Sequence, residues 1–225
     1  MAQCDYQGEL YDCTLTDKYI LPLFNDLDSS ALATWVKEST AIVPWAGCFH
    51  LLALALLGGA VIMADLRNIG PGLTTPTPKA LNTKMRPYMI VAVIVLVISG
   101  FSLALGELMK LFYSPPYWVK MASLFSALVF TFGVRDSLVQ RDGRFTPVSI
   151  VLGVLSLGGW LWVFAGLSSS LARVAFLIMI GGLALLVVLS GRKAGSLPLS
   201  IRLASATTIA LWLTTAVSGR WIAFW

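Results

Sequence analysis

One histidine, His50, serves 225 residues, and that scarcity closes off a wide range of chemistry. No second imidazole exists to complete a bis-histidine haem b site or a histidine-rich metal centre. A Ser/His/Asp triad has too few acids beside that histidine to be built. The three cysteines, Cys4, Cys13 and Cys48, show no zinc spacing, and neither a P-loop nor a dinucleotide glycine fingerprint is present. Charge is scarce as well, at 12% of residues where a soluble domain carries about a quarter. These absences predict a chain with no catalytic residues and no metal ligands of its own.

What the chain does have is apolar length. It is 57% hydrophobic, and the apolar residues collect in six stretches at about 42–64, 89–106, 119–134, 147–167, 174–190 and 203–221. A bilayer core takes roughly 20 apolar residues per helix. The second and third stretches are short for this, so each is expected to recruit flanking residues or to sit beside a locally thinned bilayer. Lipid offers no partner for a free backbone group, which leaves helices or a closed barrel, and the alternating segments of a barrel are missing. The sequence therefore predicts an all-α, polytopic membrane helical bundle of about six transmembrane helices. Residues 1–38 form an acidic extracytoplasmic tail and residues 39–225 the membrane domain.

Charge placement gives the orientation. Loops after the first, third and fifth stretches hold Arg67, Lys79, Lys84, Arg86, Arg135, Arg141, Arg144, Arg192, Lys193 and Arg202, ten of the sixteen basic residues. The opposite side has Lys18, Lys37, Lys110, Lys120, Arg173 and Arg220. The positive-inside bias puts the first group in the cytoplasm and both termini outside. Residues 1–38 fit that side, with seven acids against two lysines. They lack a basic leader followed by an apolar run, which predicts that they are not a cleaved signal. The net charge of +5 follows from the inner loops and gives no reason to expect nucleic acid as a partner.

Within the tail, Cys4 and Cys13 are the disulfide candidates, since an extracytoplasmic site lets a bridge persist. Asp28, Ser29 and Ser30 are candidate caps for a short surface helix through Trp35. Cys48, inside the first stretch, reads as a small buried residue. The segment from Asn68 to Pro78 is too rich in Gly and Pro to continue a helix. Gly158-Gly159 and Gly181-Gly182 would let helices approach closely.

Three constellations could matter functionally. His50 lies about eight residues into the first stretch, on the order of 12 Å below the outer surface. At that depth it either packs by bonding a neighbouring helix or binds haem iron or a quinone carbonyl. A His/Met haem pairing has Met63, Met89, Met109, Met121 and Met179 to draw on, although methionine in such helices is mostly packing. The second constellation is an outer rim of Glu38, Glu107, Lys110, Lys120, Arg173 and Arg220. Its members either snorkel to headgroups or, as His50, Lys120 and Arg220 together, converge on an anionic or carbonyl-bearing ligand. Third, Asp65 and Arg67 stand two apart on one helix and cannot face each other. Each is expected to find a partner elsewhere and act as a structural charge pin.

Certain strings are also familiar. Trp35-Val36-Lys37-Glu38-Ser39-Thr40, the run from Phe49 through Gly58-Gly59, and Asp65-Leu66-Arg67 resemble the opening of a bacterial family of small membrane proteins, domain of unknown function 6644. Ser99-Gly100-Phe101, Tyr117-Trp118-Val119-Lys120 and the closing Leu211–Phe224 stretch resemble its later helices. The resemblance covers roughly residues 32–140 and 203–225, implies a four-helix plan and makes the fourth and fifth stretches additions. A fainter similarity runs to copper-resistance membrane proteins and to membrane haem-b protoporphyrinogen oxidases, through His50 and the third-helix Lys120. Their further haem-supporting histidines have no counterpart here.

The sequence thus leads to a non-catalytic integral subunit that anchors or packs in a larger, redox-linked complex of the bacterial inner membrane. Other membrane-protein subunits and membrane lipids are its expected partners, with bound lipids and no required cofactor. The alternative is a haem- or quinone-binding redox protein using His50.

Overall fold

A computed structural model describes residues 3–6, 9–12, 15–71, 75–165, 170–190 and 197–224, with side chains for 17–71, 75–162, 177–190 and 197–224. Cys13 and the side chain of Cys4, on which the proposed bridge depends, lie outside these residues, as do the cations Arg192 and Lys193 and the side chain of Arg173.

The chain opens with an antiparallel hairpin, β1 (Gln3–Tyr6) and β2 (Glu9–Asp12), in the register Gln3 opposite Asp12. Three short helices follow: α1 (Leu15–Tyr19), α2 (Leu21–Asp28) and α3 (Ala31–Glu38). Pro22 falls in the first turn of α2, where its missing N–H costs nothing. The cap expected among residues 28–30 is Ser30, whose hydroxyl accepts from the Ala33 N–H at 3.2 Å and starts α3.

The long helices are α4 (Ile42–Ile69), α5 (Pro78–Gly106), α7 (Pro115–Val129) and α11 (Leu199–Trp221), with the short α6 (Leu108–Tyr113) before α7. A π-helical segment, Phe130–Arg135, and α8 (Asp136–Gln140) carry α7 onward without a break. Four of these spans are long and apolar enough to cross a membrane: 42–69, 78–106, 115–140 and 199–224. The second and third do recruit their flanks, running beyond the apolar stretches through Lys84 and Arg86 at one end and Arg135 at another. Between α8 and α11 lie α9 (Pro147–Ala165) and α10 (Ser170–Leu189), whose described apolar portions, 147–162 and 177–189, are shorter.

The chain divides into two compact units, residues 1–52 with 95–114 and residues 53–94 with 115–225. In the first, Ala33 and Val36 of α3 bury against Leu105 and Leu108, with Phe24, Leu27 and Ile42 packed around them. Phe24 meets the Phe112 ring edge-on at 5.2 Å. In the second, α11 is the central element, with over half of its most apolar stretch buried. It packs on α7, and Ile209 and Ala206 join Ile69 and Val187 in a core.

Two local expectations change. Cys48 is exposed rather than buried, because it lies on an outward face of α4, a helix that buries little of itself inside the chain. Among the described residues the paired glycines seat no helix: a Cβ added at Gly158, Gly159, Gly181 or Gly182 would meet nothing there within 4 Å.

Candidate functional site

His50 occupies a built seat in the first unit. Its Nδ1 lies 3.0 Å from the Ser99 hydroxyl, which donates its own proton to the Val95 carbonyl at 2.6 Å. With the Ser99 proton on the Val95 carbonyl, the hydroxyl oxygen can accept from Nδ1–H, the arrangement that leaves a neutral imidazole its lone pair on Nε2. The next residue makes the room: a Cβ at Gly100 would stand 3.1 Å from His50 Cε1. Beside this seat runs an apolar groove of about 400 Å³, lined by residues that include Trp45, Phe49, Ile98 and Ser99.

The largest concentration of charge is buried in the second unit. Asp65 near the end of α4 and Arg135 at the end of the π segment are both 0% exposed, and the guanidinium donates to Asp65 Oδ1 at 2.9 Å. Arg135 also donates to Asp136 Oδ1 at 2.7 Å, and Arg86 approaches the other oxygen of Asp136 at 4.0 Å from the solvent side. Two carboxylates thus face two guanidiniums, so the cluster carries no excess charge into an apolar surround. The widened turn of the π segment ends on Arg135, and Trp212 of α11 pins it by donating to Thr131 Oγ1 at 3.0 Å.

Neutral polar groups extend this lock. Asn82 of α5 donates to Asn68 Oδ1 at 3.2 Å, and Asn68 donates to the Ser205 hydroxyl at 3.0 Å. Ser205 in turn lies beside Asp65. Arg202, one turn earlier on α11, donates to the carbonyls of Ile69 and Val187, near the C-terminal ends of α4 and α10. It satisfies acceptors that a helix end leaves open. Side chains of α4, α5, the π segment, α8 and α11 are therefore tied at one end by charge and amide bonds.

The sequence-derived residues divide accordingly. Asp65 does pair across helices, with Arg135. Arg67 does not join it; its Nε donates to the Pro76 carbonyl at 2.7 Å and holds the Gly/Pro-rich linker. Arg135, expected in an inner loop, is helical and fully buried. Lys120 lies half-buried in α7, its stem and Nζ 3.4–3.6 Å from where a Gly219 Cβ would stand, one residue before Arg220. Arg220 sits over the Phe224 ring at 5.4 Å. His50 belongs to the first unit and Lys120 and Arg220 to the second. Glu107 and Lys110, also of the rim, pair with each other at 3.6 Å. Among the described residues no cluster of three or more His, Cys, Asp or Glu could hold a metal ion.

Fold and site together define a helical integral membrane protein with a buried ionic lock. The model of a family of unknown function, DUF6644, matches residues 24–171, more than half of the chain, and the protein belongs to that family. The match takes in α9, one of the two helices expected to be additions, and ends at the start of α10. No curated protein and no solved structure matches.

Proposed function

We propose that the protein is a non-catalytic integral subunit that packs within a larger, redox-linked assembly of the bacterial inner membrane. One observation carries this reading. Gly58-Gly59 on α4, like the glycine pairs of α9 and α10, has open space where a side chain would be. Glycine is unfavourable inside a helix unless something uses the gap. In a bilayer small residues are what allow a second helix to approach. Among the described residues nothing fills these gaps, and helices of other subunits are the fitting occupants. The apolar faces around them, with Trp162 82% exposed, suit lipid or such a partner.

The same proposal includes six crossings and extracytoplasmic termini, in keeping with the distribution of basic loops. Reporter fusions after residues 71, 143, 168 and 224 test this: a cytoplasmic readout at 168 contradicts the six crossings, and one at 224 contradicts the extracytoplasmic C-terminus. The subunit reading is tested by extraction in mild detergent, with mass spectrometry and a visible spectrum on one peak. A stoichiometric membrane partner is the expected result, and a lone monomer without colour argues against it.

A second reading, binding of haem or a quinone at His50, draws on the Ser99–Gly100 seat and the adjoining groove. A haem iron would need the Nε2 lone pair of the neutral imidazole. A quinone carbonyl would instead need a proton there, and so the other protonation state. A Soret band lost in His50→Ala supports the haem form; a colourless peak disposes of it.

A further inference from the structure

We propose that Lys120 and Arg220 form a binding site for the phosphate of an anionic glycerophospholipid, where α7 begins and α11 ends. The inference needs only membrane residence and stands apart from the subunit reading.

Lys120 is in the second turn of α7, and its methylene stem lies along Gly219 of α11. Ion pairs among the described residues use Lys37, Lys79, Arg86, Lys110 and Arg135, and neither Lys120 nor Arg220. Half-buried at the start of a membrane helix, this ammonium has no carboxylate partner among the described residues. The fold keeps it there, its stem and Nζ 3.4–3.6 Å from where a Gly219 Cβ would stand, an ordinary packing distance. A charge held this way is matched from outside the chain.

The surroundings indicate which anion. Tyr117 and Trp118 form an edge-on pair at 5.5 Å three and two residues before Lys120, and Trp221, partly exposed, follows Arg220. Amphipathic aromatics of this kind mark headgroup level. Arg220 lies over the Phe224 ring. A guanidinium held over a ring by a cation–π contact still offers N–H donors for bidentate contact with phosphate. A point charge on α7 and a planar fork on α11 then clamp one phosphate from two helices.

The test is native mass spectrometry of the full chain in mild detergent, with phosphatidylglycerol or phosphatidylcholine added. The wild-type protein should retain phosphatidylglycerol preferentially. Lys120→Gln should lower its occupancy roughly tenfold, the scale of one charge-assisted contact. Lys120→Arg should keep it, and Lys110→Gln, whose lysine already pairs with Glu107, should leave it unchanged. Added inorganic phosphate separates the sources: failure to displace the lipid identifies the lipid as ligand, while displacement identifies a free-phosphate site of the same chemistry. Equal phosphatidylglycerol retention by wild type and Lys120→Gln overturns the proposal. So does loss of a protein partner, rather than of lipid, in that variant. Should Lys120→Gln fail to fold, Arg220→Gln at its exposed position decides instead, and unchanged retention there overturns the two-cation site.

Discussion

The third span carries a cation near each end, and the two are treated in opposite ways. Arg135 is wholly buried and meets two carboxylates; Lys120, roughly 20 Å away along the helix, is half-buried and meets none among the described residues. Arg135 therefore belongs to the architecture. Its partners come from α4 and α8, and removing any one strands the others in an apolar interior. Lys120 is tolerated by the fold without being used by it, as expected of a group whose partner comes from elsewhere.

The comparison breaks most sharply at Asp65. Asp65→Ala leaves Arg135 facing a cavity with one carboxylate, and should cost about 3–5 kcal/mol of unfolding free energy in detergent. Asp65→Leu combined with Arg135→Met should recover most of that, because replacing both charges removes the burial penalty as well as the bond. A double variant as unstable as Asp65→Ala would mean that the lock contributes more than mutual neutralisation.

Gly143 is the next largest effect. After α8 the chain turns through Asp142 (φ 52°) and Gly143 (φ 85°), and the Gly143 N–H returns to the Leu138 carbonyl at 2.8 Å. The turn docks on the start of α11, where Ser200 donates to the Gly143 carbonyl at 2.9 Å. A Cβ at Gly143 would stand 2.6 Å from Pro198 Cβ. Gly143→Ala should cost about 2 kcal/mol from backbone strain and crowding together, read as a lowered unfolding midpoint. Asn68→Ala should cost less, about 1 kcal/mol, the usual scale of an interhelical polar contact in a membrane protein. A loss as large as that of Asp65→Ala would show the amides and the ion pair to be one cooperative unit.

Much of this was legible in the sequence, and the parts that were not share a cause. Apolar length located the spans, but their ends ran past it: α5 begins at Pro78 where the apolar stretch begins near 89. Arg86 interrupts hydropathy without interrupting the helix, because Asp136 provides its partner. Arg135 read as a loop residue for the same reason, and no local signal announces a π segment. Asp65 was legible as a pin, since an acid beside Arg67 on one helix has to look elsewhere; that it would choose Arg135 depends on packing. Arg202 was counted with the basic loops, yet it is buried and bonds helix-end carbonyls. For His50 the signal was present in the Ser99-Gly100 step, a hydroxyl and a gap in succession, although only the fold shows that both serve the imidazole.

Lys120 sharpens the comparison from its weak end. Lys120→Gln removes a charge that has no ion-pair partner among the described residues, so no ion pair shown there is lost. The amide side chain also sheds part of the cost of a charge in apolar surroundings. In lipid-free detergent, unfolding free energy should therefore change by no more than about 0.5 kcal/mol, the range of a substitution that breaks nothing, and any change should favour the variant. With phosphatidylglycerol added, wild type should gain stability through mass action and Lys120→Gln should not, reversing the order of the two. A loss above 1 kcal/mol without lipid would make Lys120 structural after all. The two ends of the third span would then be alike, and the distinction between paired and unpaired cations would fail in the protein that motivates it.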